Sequence, residues 1–248
     1  MRIQFLGTGD AFGSGGRLNT CFLVDRGERG FLIDCGASSM IAIRRFEVDP
    51  NAIDAIVLSH LHGDHFGGLP FFILDAQLVS RRTRPLTIAG PRGLAVRLDA
   101  LMEAMFPGSS RAKRRFAVEL IELEPEAPTV VGDGGPRVTG YVVEHPSGAP
   151  SLALRIECDD RVIAYTGDTE WVDALVPAGL DADLLIAESY GFARKIPFHL
   201  DFATLKERLP EIRAKRVVLT HMSTEMLGRL SQLDGCEAAR DGLDVEIA

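Results

Sequence analysis

Short apolar stretches alternate with polar or glycine-rich turns along the whole chain. Each stretch is three to seven residues long and is bounded by turn residues, which is typical of buried β-strands. The predicted strands are 2–6, 21–25, 31–33, 53–58, 85–89, 116–121, 137–143, 151–157, 161–166, 184–187 and 216–220.

Other segments carry apolar side chains at helical spacing, as Leu94, Leu98, Leu101 and Met105 do. The predicted helices are 37–46, 69–80, 92–105 and one near 200–209. Because both halves of the chain supply strands and helices, we expect an α/β fold in which two sheets pack together with helices outside. A length of 248 residues favours one domain, 1–248, over two small ones.

One stretch, Ser59–His65, holds three of the six histidines in the protein. It follows the predicted strand 53–58, so a rigid scaffold can direct its imidazoles into a common cavity. Neutral imidazole and carboxylate groups are the ligands that Zn²⁺ prefers. The stretch therefore predicts a metal site, and the alternative is a polar loop whose histidines bind nothing.

The spacing inside this stretch indicates two ions. His60 and His62 alternate, so in an extended segment their side chains point the same way. Asp64 and His65 come after the chain has begun to turn, so their side chains can point toward a second metal position. One stretch is thus expected to serve two ions a few ångströms apart.

Three further coordinating residues stand just beyond short apolar strands: His145, Asp168 and His221. Any one of them alone would be interpreted as a buried histidine or a turn aspartate, but the repeated placement indicates a shared site. Asp34 also ends a predicted buried strand. It either orients a histidine ligand or caps the following helix.

Two other features suggest contact with phosphate. The glycine-rich loop 7–20 could bring backbone amides close to a ligand, but no Gly-Lys-Ser/Thr follows, so a surface turn is the alternative. The basic runs 81–84 and 111–115 either receive a phosphorylated substrate or form a solvated face.

Composition limits the partners. A net charge of −8 disfavours a general nucleic-acid binder, so nucleic acid is not expected as the main partner. No apolar run has the length of a signal peptide or a membrane span, so no membrane partner is expected. The four cysteines form no CxxC pair, and a reduced cytoplasmic protein is the default expectation.

Several segments resemble, in order, the motifs of the metallo-β-lactamase superfamily. They are Leu6–Gly9, Ile33–Gly36, His60–His65, His145, Thr166–Thr169 and Leu219–His221. The resemblance implies a four-layer αββα sandwich, two mixed sheets flanked by helices, with a dimetal site on one edge between the sheets. The ligands it implies are His60, His62 and His145 for one ion, Asp64, His65 and His221 for the other, and Asp168 bridging both.

Within the superfamily the likeness is greatest to the branch of tRNase Z and small phosphodiesterases. It rests on Arg17–Thr20, Pro85–Pro91, and the pair Glu188 and His199. The tRNA-processing enzymes carry a long arm between the third motif and the bridging aspartate. Here only 22 residues separate His145 from Asp168, and 151–166 is predicted to form two strands, so whole tRNA is not the expected substrate.

His199 is the one histidine that is not needed as a ligand. It precedes the predicted helix near 200–209, whose positive end should lower the pKa of the imidazolium. The resemblance implies that His199 contacts the phosphoryl group and protonates the leaving oxygen while Glu188 steadies it. The alternative is a histidine at the helix start that packs on Phe198.

The sequence therefore predicts a dinuclear metal-dependent hydrolase, with two Zn²⁺ or Mn²⁺ ions, acting on a small phosphodiester or cyclic phosphate. The ions would lower the pKa of a shared water toward ~7, providing hydroxide while Asp64 hydrogen-bonds it. Four alternatives stay open: hydrolysis of a carboxylic ester, thioester or lactam, a tRNA 3′-processing-like ribonuclease, a diiron protein, and a binding module without activity. His62 argues against iron. The substrate, the metal and the oligomeric state stay open, with a homodimer as one alternative.

Overall fold

The computed structural model describes residues 1–247, which form two seven-stranded sheets. The first sheet has the order β14-β1-β2-β3-β4-β5-β6. Its strands are β1 (Arg2–Gly7), β2 (Cys21–Asp25), β3 (Gly30–Ile33), β4 (Ile53–Val57), β5 (Leu86–Gly90), β6 (Val118–Glu122) and β14 (Leu243–Glu246). Strands β3 to β6 are parallel and the others pair antiparallel, so this sheet is mixed.

The second sheet has the order β13-β12-β11-β10-β9-β8-β7. Its strands are β7 (Thr129–Val130), β8 (Arg137–Val143), β9 (Ser151–Cys158), β10 (Arg161–Tyr165), β11 (Leu184–Glu188), β12 (Val217–Thr220) and β13 (Glu237–Ala238). Strands β10 to β13 are parallel, and β7 to β10 pair antiparallel.

The central strands of each sheet are covered on both faces. In β2, Phe22 and Val24 point into the core between the sheets, while Cys21 and Leu23 point toward the outer helices. This alternation follows from the two-residue period of a strand. Because both faces are buried, the strands read as nearly continuous apolar runs rather than alternating ones.

Helices form the two outer layers. The first sheet is covered by α1 (Ser39–Arg45), α2 (Gly63–Phe66), α3 (Leu69–Leu78) and α4 (Leu94–Met105), and the second by α5 (Leu175–Gly179), α6 (Phe202–Ile212) and α7 (Thr224–Leu227). Short 3-10 helices occur at Ser14–Gly16, Pro50–Ala52 and Leu230–Gln232. The predicted four-layer αββα sandwich is confirmed.

Every predicted strand and helix is present, with ends that differ by a few residues. The strands and α-helices that the pattern missed are the short ones, β7, β13, β14, α2, α5 and α7, because two to five residues carry little periodicity. Strand β14 pairs with β1, opposing Val245 to Ile3, and so the two ends of the described chain lie side by side. Within residues 1–247, none of the helices has the length and apolar character needed to cross a membrane.

Candidate metal centre

All the predicted ligands lie at one edge of the two sheets, where strands end. His60 follows β4, Asp168 follows β10 and His221 follows β12. Short parallel strands therefore bring to one place residues that are up to 161 positions apart in the chain. Each group is held by the rigid end of a buried strand rather than by a long loop.

Three histidines form a first cluster, consisting of His60, His62 and His145. One nitrogen from each lies within 4.8 Å of the others. His62 Nδ1 and His145 Nε2 are 3.0 Å apart. His60 is fully buried, and burial and then the neighbouring His65 lower its pKa well below the usual value. A neutral imidazole is the form that binds metal.

Four groups form a second cluster, consisting of Asp64, His65, Asp168 and His221, again within 4.8 Å of one another. Asp64 Oδ2 lies 3.3 Å from His65 Nε2 and 3.2 Å from His221 Nε2. The stretch Ser59–His65 thus contributes to both clusters, as its spacing indicates. The α2 helix turns the chain between His62, which precedes it, and His65 within it.

Asp168 belongs to the second cluster and also lies beside the first. Its Oδ2 lies 3.4 Å from His65 Nε2 and 3.3 Å from His221 Nε2. The same oxygen is 3.9 Å from His60 Nε2 and 4.0 Å from His145 Nε2. One carboxylate oxygen therefore faces donor atoms of both groups.

The buried atoms of this centre fit divalent cations. His60 Nε2, His65 Nε2 and Asp168 Oδ1 are buried and have no hydrogen-bond partner. Burial lowers the pKa of His221, but Asp168 and the other carboxylates outweigh burial and raise it to about 10. The carboxylates thus favour positive charge at the point where the unpartnered atoms converge. A divalent ion at that point would balance the negative charge and would coordinate the unpartnered atoms.

Asp34 orients a histidine from each cluster. Its Oδ2 is 2.7 Å from His65 Nδ1 and accepts the Ser59 hydroxyl at 2.8 Å, while Oδ1 accepts the Ser59 amide at 2.8 Å. The Ser59 hydroxyl oxygen lies 3.1 Å from His60 Nδ1. Of the two interpretations of Asp34, orientation of a histidine is the one observed, since Ser38 occupies the N-cap of α1.

Backbone geometry at the centre is constrained. Asp34 and His221 both have positive φ, 58° and 54°, a conformation that costs of order 1 kcal/mol for a residue with a side chain. Gly36 packs so closely against α2 that an added Cβ would lie 2.1 Å from the Asp64 carbonyl oxygen. This contact holds the Asp34 segment against the helix that carries Asp64 and His65.

Glu188 and His199 form a pair beside the second cluster. Glu188 ends β11 and is fully buried, and its Oε1 lies 2.5 Å from His199 Nδ1. Its other oxygen accepts the amides of Thr169 at 2.8 Å and Leu200 at 3.3 Å. The same carboxylate therefore fixes His199 and the segment that follows Asp168.

The predicted pKa direction for His199 is wrong. Helix α6 begins at Phe202, and Asp201 is its N-cap, so His199 lies outside the helix. Burial lowers the pKa of His199, but the hydrogen bond to Glu188 and its charge outweigh burial and raise it. The ring is packed against Tyr190, with centroids 4.8 Å apart.

Carboxylates of Asp10 in the glycine-rich loop and of the distant Asp241 accept hydrogen bonds from the loop's amides. Asp10 Oδ1 accepts the amides of Phe12 and Ser14 at 3.2 and 2.9 Å. Asp241 accepts the amides of Thr8 and Leu18 at 3.0 and 2.8 Å. These amides are not available to a phosphate, so a structured turn is the interpretation that fits.

The two basic runs lie away from the centre. Run 81–84 leads into the amino end of β5, and run 111–115 precedes the amino end of β6. Strands β4, β5 and β6 are parallel, and the metal centre lies at their carboxyl ends. The runs therefore lie at the opposite edge of the sheet.

Two contacts at the centre carry no signal in the sequence. Ser59 links His60 to Asp34, and a serine before a histidine is not distinctive. The backbone carbonyl of Phe198 lies 3.0 Å from His145 Nδ1. A main-chain acceptor can be placed only once the fold is known.

Comparison with known proteins gives a consistent result. The model of the family described as "Anti-Pycsar protein Apyc1" matches residues 1–241. Ribonuclease Z of Enterococcus faecalis is 32% identical over 284 residues, which cover 92% of this chain and 88% of that protein. Ribonuclease Z of Geobacillus kaustophilus is 27% identical over 282 residues, covering 92% and 90%. These 282 positions exceed the 248 residues of this chain by 34, so that relative has at least 34 residues without a counterpart here.

Solved structures agree on the fold. The short form of human tRNase Z superposes with a TM-score of 0.81 at 26% identity and covers all of both chains. A diphosphatase of the PhnP family superposes with a TM-score of 0.78 at 21% identity, covering 100% of this chain and 98% of that one. At that identity the second likeness shows the fold alone.

Proposed function

The chain belongs to the Apyc1 family of metallo-β-lactamase fold hydrolases, and on that premise we propose that it is a phosphodiesterase with two metal ions that hydrolyses a small phosphodiester or cyclic phosphate. The observation that carries the proposal is the pair of adjacent ligand clusters, with one oxygen of Asp168 lying 3.4 Å from His65 Nε2 in the second and 3.9 Å from His60 Nε2 in the first. Family membership shows a metal-dependent hydrolase. We propose the number of ions, their identity and the substrate.

In this proposal each cluster holds one ion. His60, His62 and His145 would hold the first. Asp64, His65 and His221 would hold the second, and Asp168 would be shared. Imidazole and carboxylate donors suit Zn²⁺, with Mn²⁺ as the alternative. When bound, the ions supply a water of lowered pKa and offset the negative charge of the phosphoryl group.

The chain's own groups handle the protons. Asp64 is positioned to accept a hydrogen bond from the attacking water. His199 keeps Nδ1 on Glu188, so its other nitrogen is free to give a proton to the leaving oxygen. The water gives one proton to solvent, its oxygen bonds to phosphorus, and the P–O bond to the leaving group breaks as His199 protonates the leaving oxygen. The raised pKa of His199 supports this role, since it keeps the ring protonated to higher pH.

The segment between His145 and Asp168 supports a small substrate. It consists of the hairpin β9–β10 and two short turns, with no protruding arm among these described residues. The 34 or more residues that the Geobacillus ribonuclease Z has in excess fit the same interpretation.

A tRNA 3′-processing-like ribonuclease is the second candidate. It is favoured by the ribonuclease Z relatives, one of them 32% identical over 92% of this chain. A site of this kind also suits a carboxylic ester, thioester or lactam. The metal centre alone does not distinguish these electrophiles, because its ions would polarise a carbonyl as well as a phosphoryl oxygen.

The test is a substrate panel on purified, metal-loaded protein. The panel contains bis-p-nitrophenyl phosphate, cyclic nucleotides, a precursor tRNA, a thioester and a lactam. We expect hydrolysis of the small phosphodiesters and little or no trimming of tRNA. Efficient 3′ trimming would support the second candidate, and turnover confined to the thioester or lactam would refute a phosphodiesterase.

A further inference from the structure

The metal centre is open to solvent on one side. Most of its histidines are buried, but His62 is partly exposed, and the neighbouring His199 side chain is 22% exposed. Both rings lie beside the ring of His145, with centroid separations of 4.9 Å for His62 and 5.0 Å for His199. A substrate therefore reaches the centre on the side that these three histidines share.

Phe198 lies at this opening. Its carbonyl oxygen is 3.0 Å from His145 Nδ1, and its amide donates to Glu170 Oε2 at 3.1 Å. The next residue in the chain is His199. The backbone of Phe198 is thus fixed between a predicted metal ligand and the predicted general acid.

The turn that contains Phe198 is one that favours glycine. The His199 amide donates to the Ile196 carbonyl at 3.1 Å and closes a four-residue turn, with Pro197 second and Phe198 third. Phe198 has a φ of 67°. Proline is common at the second position of such a turn, and glycine is favoured at a third position with positive φ. A phenylalanine there is strained, so the turn itself does not account for the side chain.

Core packing does not account for it either. Phe198 is 38% exposed, and within residues 1–247 it belongs to none of the apolar clusters of the core. Phe192 in the same loop differs, because it packs on Phe202 with ring centroids 5.5 Å apart and joins the core beside the second sheet. Strained residues are often found at functional sites, and here the strained residue also exposes an aromatic ring beside the metal centre.

We propose, on the basis of the phosphodiesterase site described above, that Phe198 is a specificity-determining residue whose ring binds an aromatic group of the substrate. The phosphoryl group lies at the metal centre, and the aromatic group of the ester packs against Phe198 in an offset or edge-to-face arrangement. Diesters that carry an aromatic group are therefore preferred over aliphatic diesters of the same charge.

Isothermal titration of the metal-loaded protein with diphenylphosphinate and dimethylphosphinate tests the proposal. Both probes carry one negative charge on the same phosphinate group, and their P–C bonds are not hydrolysed, so binding is measured without turnover. We expect wild type to bind diphenylphosphinate more tightly. Phe198→Ala should weaken diphenylphosphinate binding about tenfold and leave dimethylphosphinate binding unchanged, because an aromatic pair is lost. Phe198→Tyr keeps the ring and should bind both probes like wild type.

The matched control is Leu180→Ala. Leu180 is 36% exposed and precedes the amino end of β11, at the edge of the sheet opposite the metal centre. Its loss should leave the affinities for both probes unchanged. Zinc content and urea unfolding show whether each variant keeps its metal and its fold. If Phe198→Ala does not fold, Phe198→Gly replaces it, since glycine adopts a positive φ without strain.

Four results would overturn the proposal. They are no binding of diphenylphosphinate to wild type, equal affinity of wild type for the two probes, a preference that Phe198→Ala leaves unchanged, and an equal loss for both probes in Phe198→Ala. The last result would mean that Phe198 acts only by holding His145. A preference that depends on Phe198 in a protein that hydrolyses no phosphodiester would refute the proposed function alone, so the two proposals are tested separately.

Discussion

The carboxylate of Asp34 lies 2.7 Å from Nδ1 of His65, and both side chains are completely buried. The same carboxylate reaches His60 through the Ser59 hydroxyl. In each imidazole one nitrogen is thereby hydrogen-bonded, and the other faces the metal centre. One residue outside both clusters fixes the ring orientation in each.

Asp34→Asn should therefore weaken metal binding in both clusters. We expect a loss of about 10–100-fold in affinity, the usual cost of removing a partner of a histidine ligand. Competition with a chromogenic chelator measures it. Asp244→Asn, which alters an exposed carboxylate beside Arg2, is the control and should bind metal like wild type. Unchanged affinity in Asp34→Asn would show that the ring orientations do not depend on Asp34.

Gly36→Ala should destabilise the fold and disturb the centre together. The new Cβ would lie 2.1 Å from the Asp64 carbonyl oxygen, and overpacking of this kind costs about 3 kcal/mol. Urea unfolding gives the loss. The control is Gly63→Ala, because a Cβ at Gly63 meets nothing within 4 Å. Equal stability of the two variants would contradict the close contact.

His199→Ala should keep the fold and the bound metal but lose activity selectively. Loss of a general acid typically costs ~10²–10⁴ in rate. That loss should appear in kcat for a leaving group that needs a proton and be much smaller for p-nitrophenolate, which leaves without one. Equal losses on both substrates would assign His199 to phosphate binding, and no loss on either would make it structural.

Asp159 and Arg26 join the turn after β2 to the turn between β9 and β10, and so link the two sheets. The hydrogen bond to Arg26 lowers the pKa of Asp159 against a small opposing effect of burial. A lowered carboxyl pKa gives stability that is complete above the unfolded value of 3.8 and disappears as pH falls through the folded value.

Asp159→Asn should therefore be less stable than wild type at pH 7, by up to about 1 kcal/mol for this half-exposed pair. The difference should be smaller at pH 3 than at pH 7, because pH 3 lies below the unfolded value of 3.8. Urea unfolding at both pH values measures it, with Asp160→Asn as the neighbouring control. A difference that is larger at pH 3 would contradict the assigned direction.

Much of the fold and of the ligand set could be predicted from local sequence. Apolar runs predict the central strands because these strands are buried on both faces. The Ser59–His65 stretch contains two alternating histidines before a turn. The ligands His145, Asp168 and His221 follow strands, and strand ends of packed sheets meet at one edge.

What could not be predicted depends on contacts between distant segments. The direction of the pKa shift of His199 follows from Glu188, eleven residues away, and not from the nearby helix end. The amides of the glycine-rich loop are taken by Asp241 from the other end of the chain. Likewise, Arg82 and Arg84 lie beside Asp54 because β4 pairs with β5, and that pairing cannot be predicted from the local sequence.

We propose above all that Asp168 is shared by two metal ions. Inductively coupled plasma mass spectrometry on protein loaded with Zn²⁺ and freed of excess metal tests it directly, alongside hydrolysis of bis-p-nitrophenyl phosphate. We predict two ions per chain in wild type, and well below two with no hydrolysis in Asp168→Ala. One ion or none in active wild type, or full occupancy and activity in Asp168→Ala, would contradict the account.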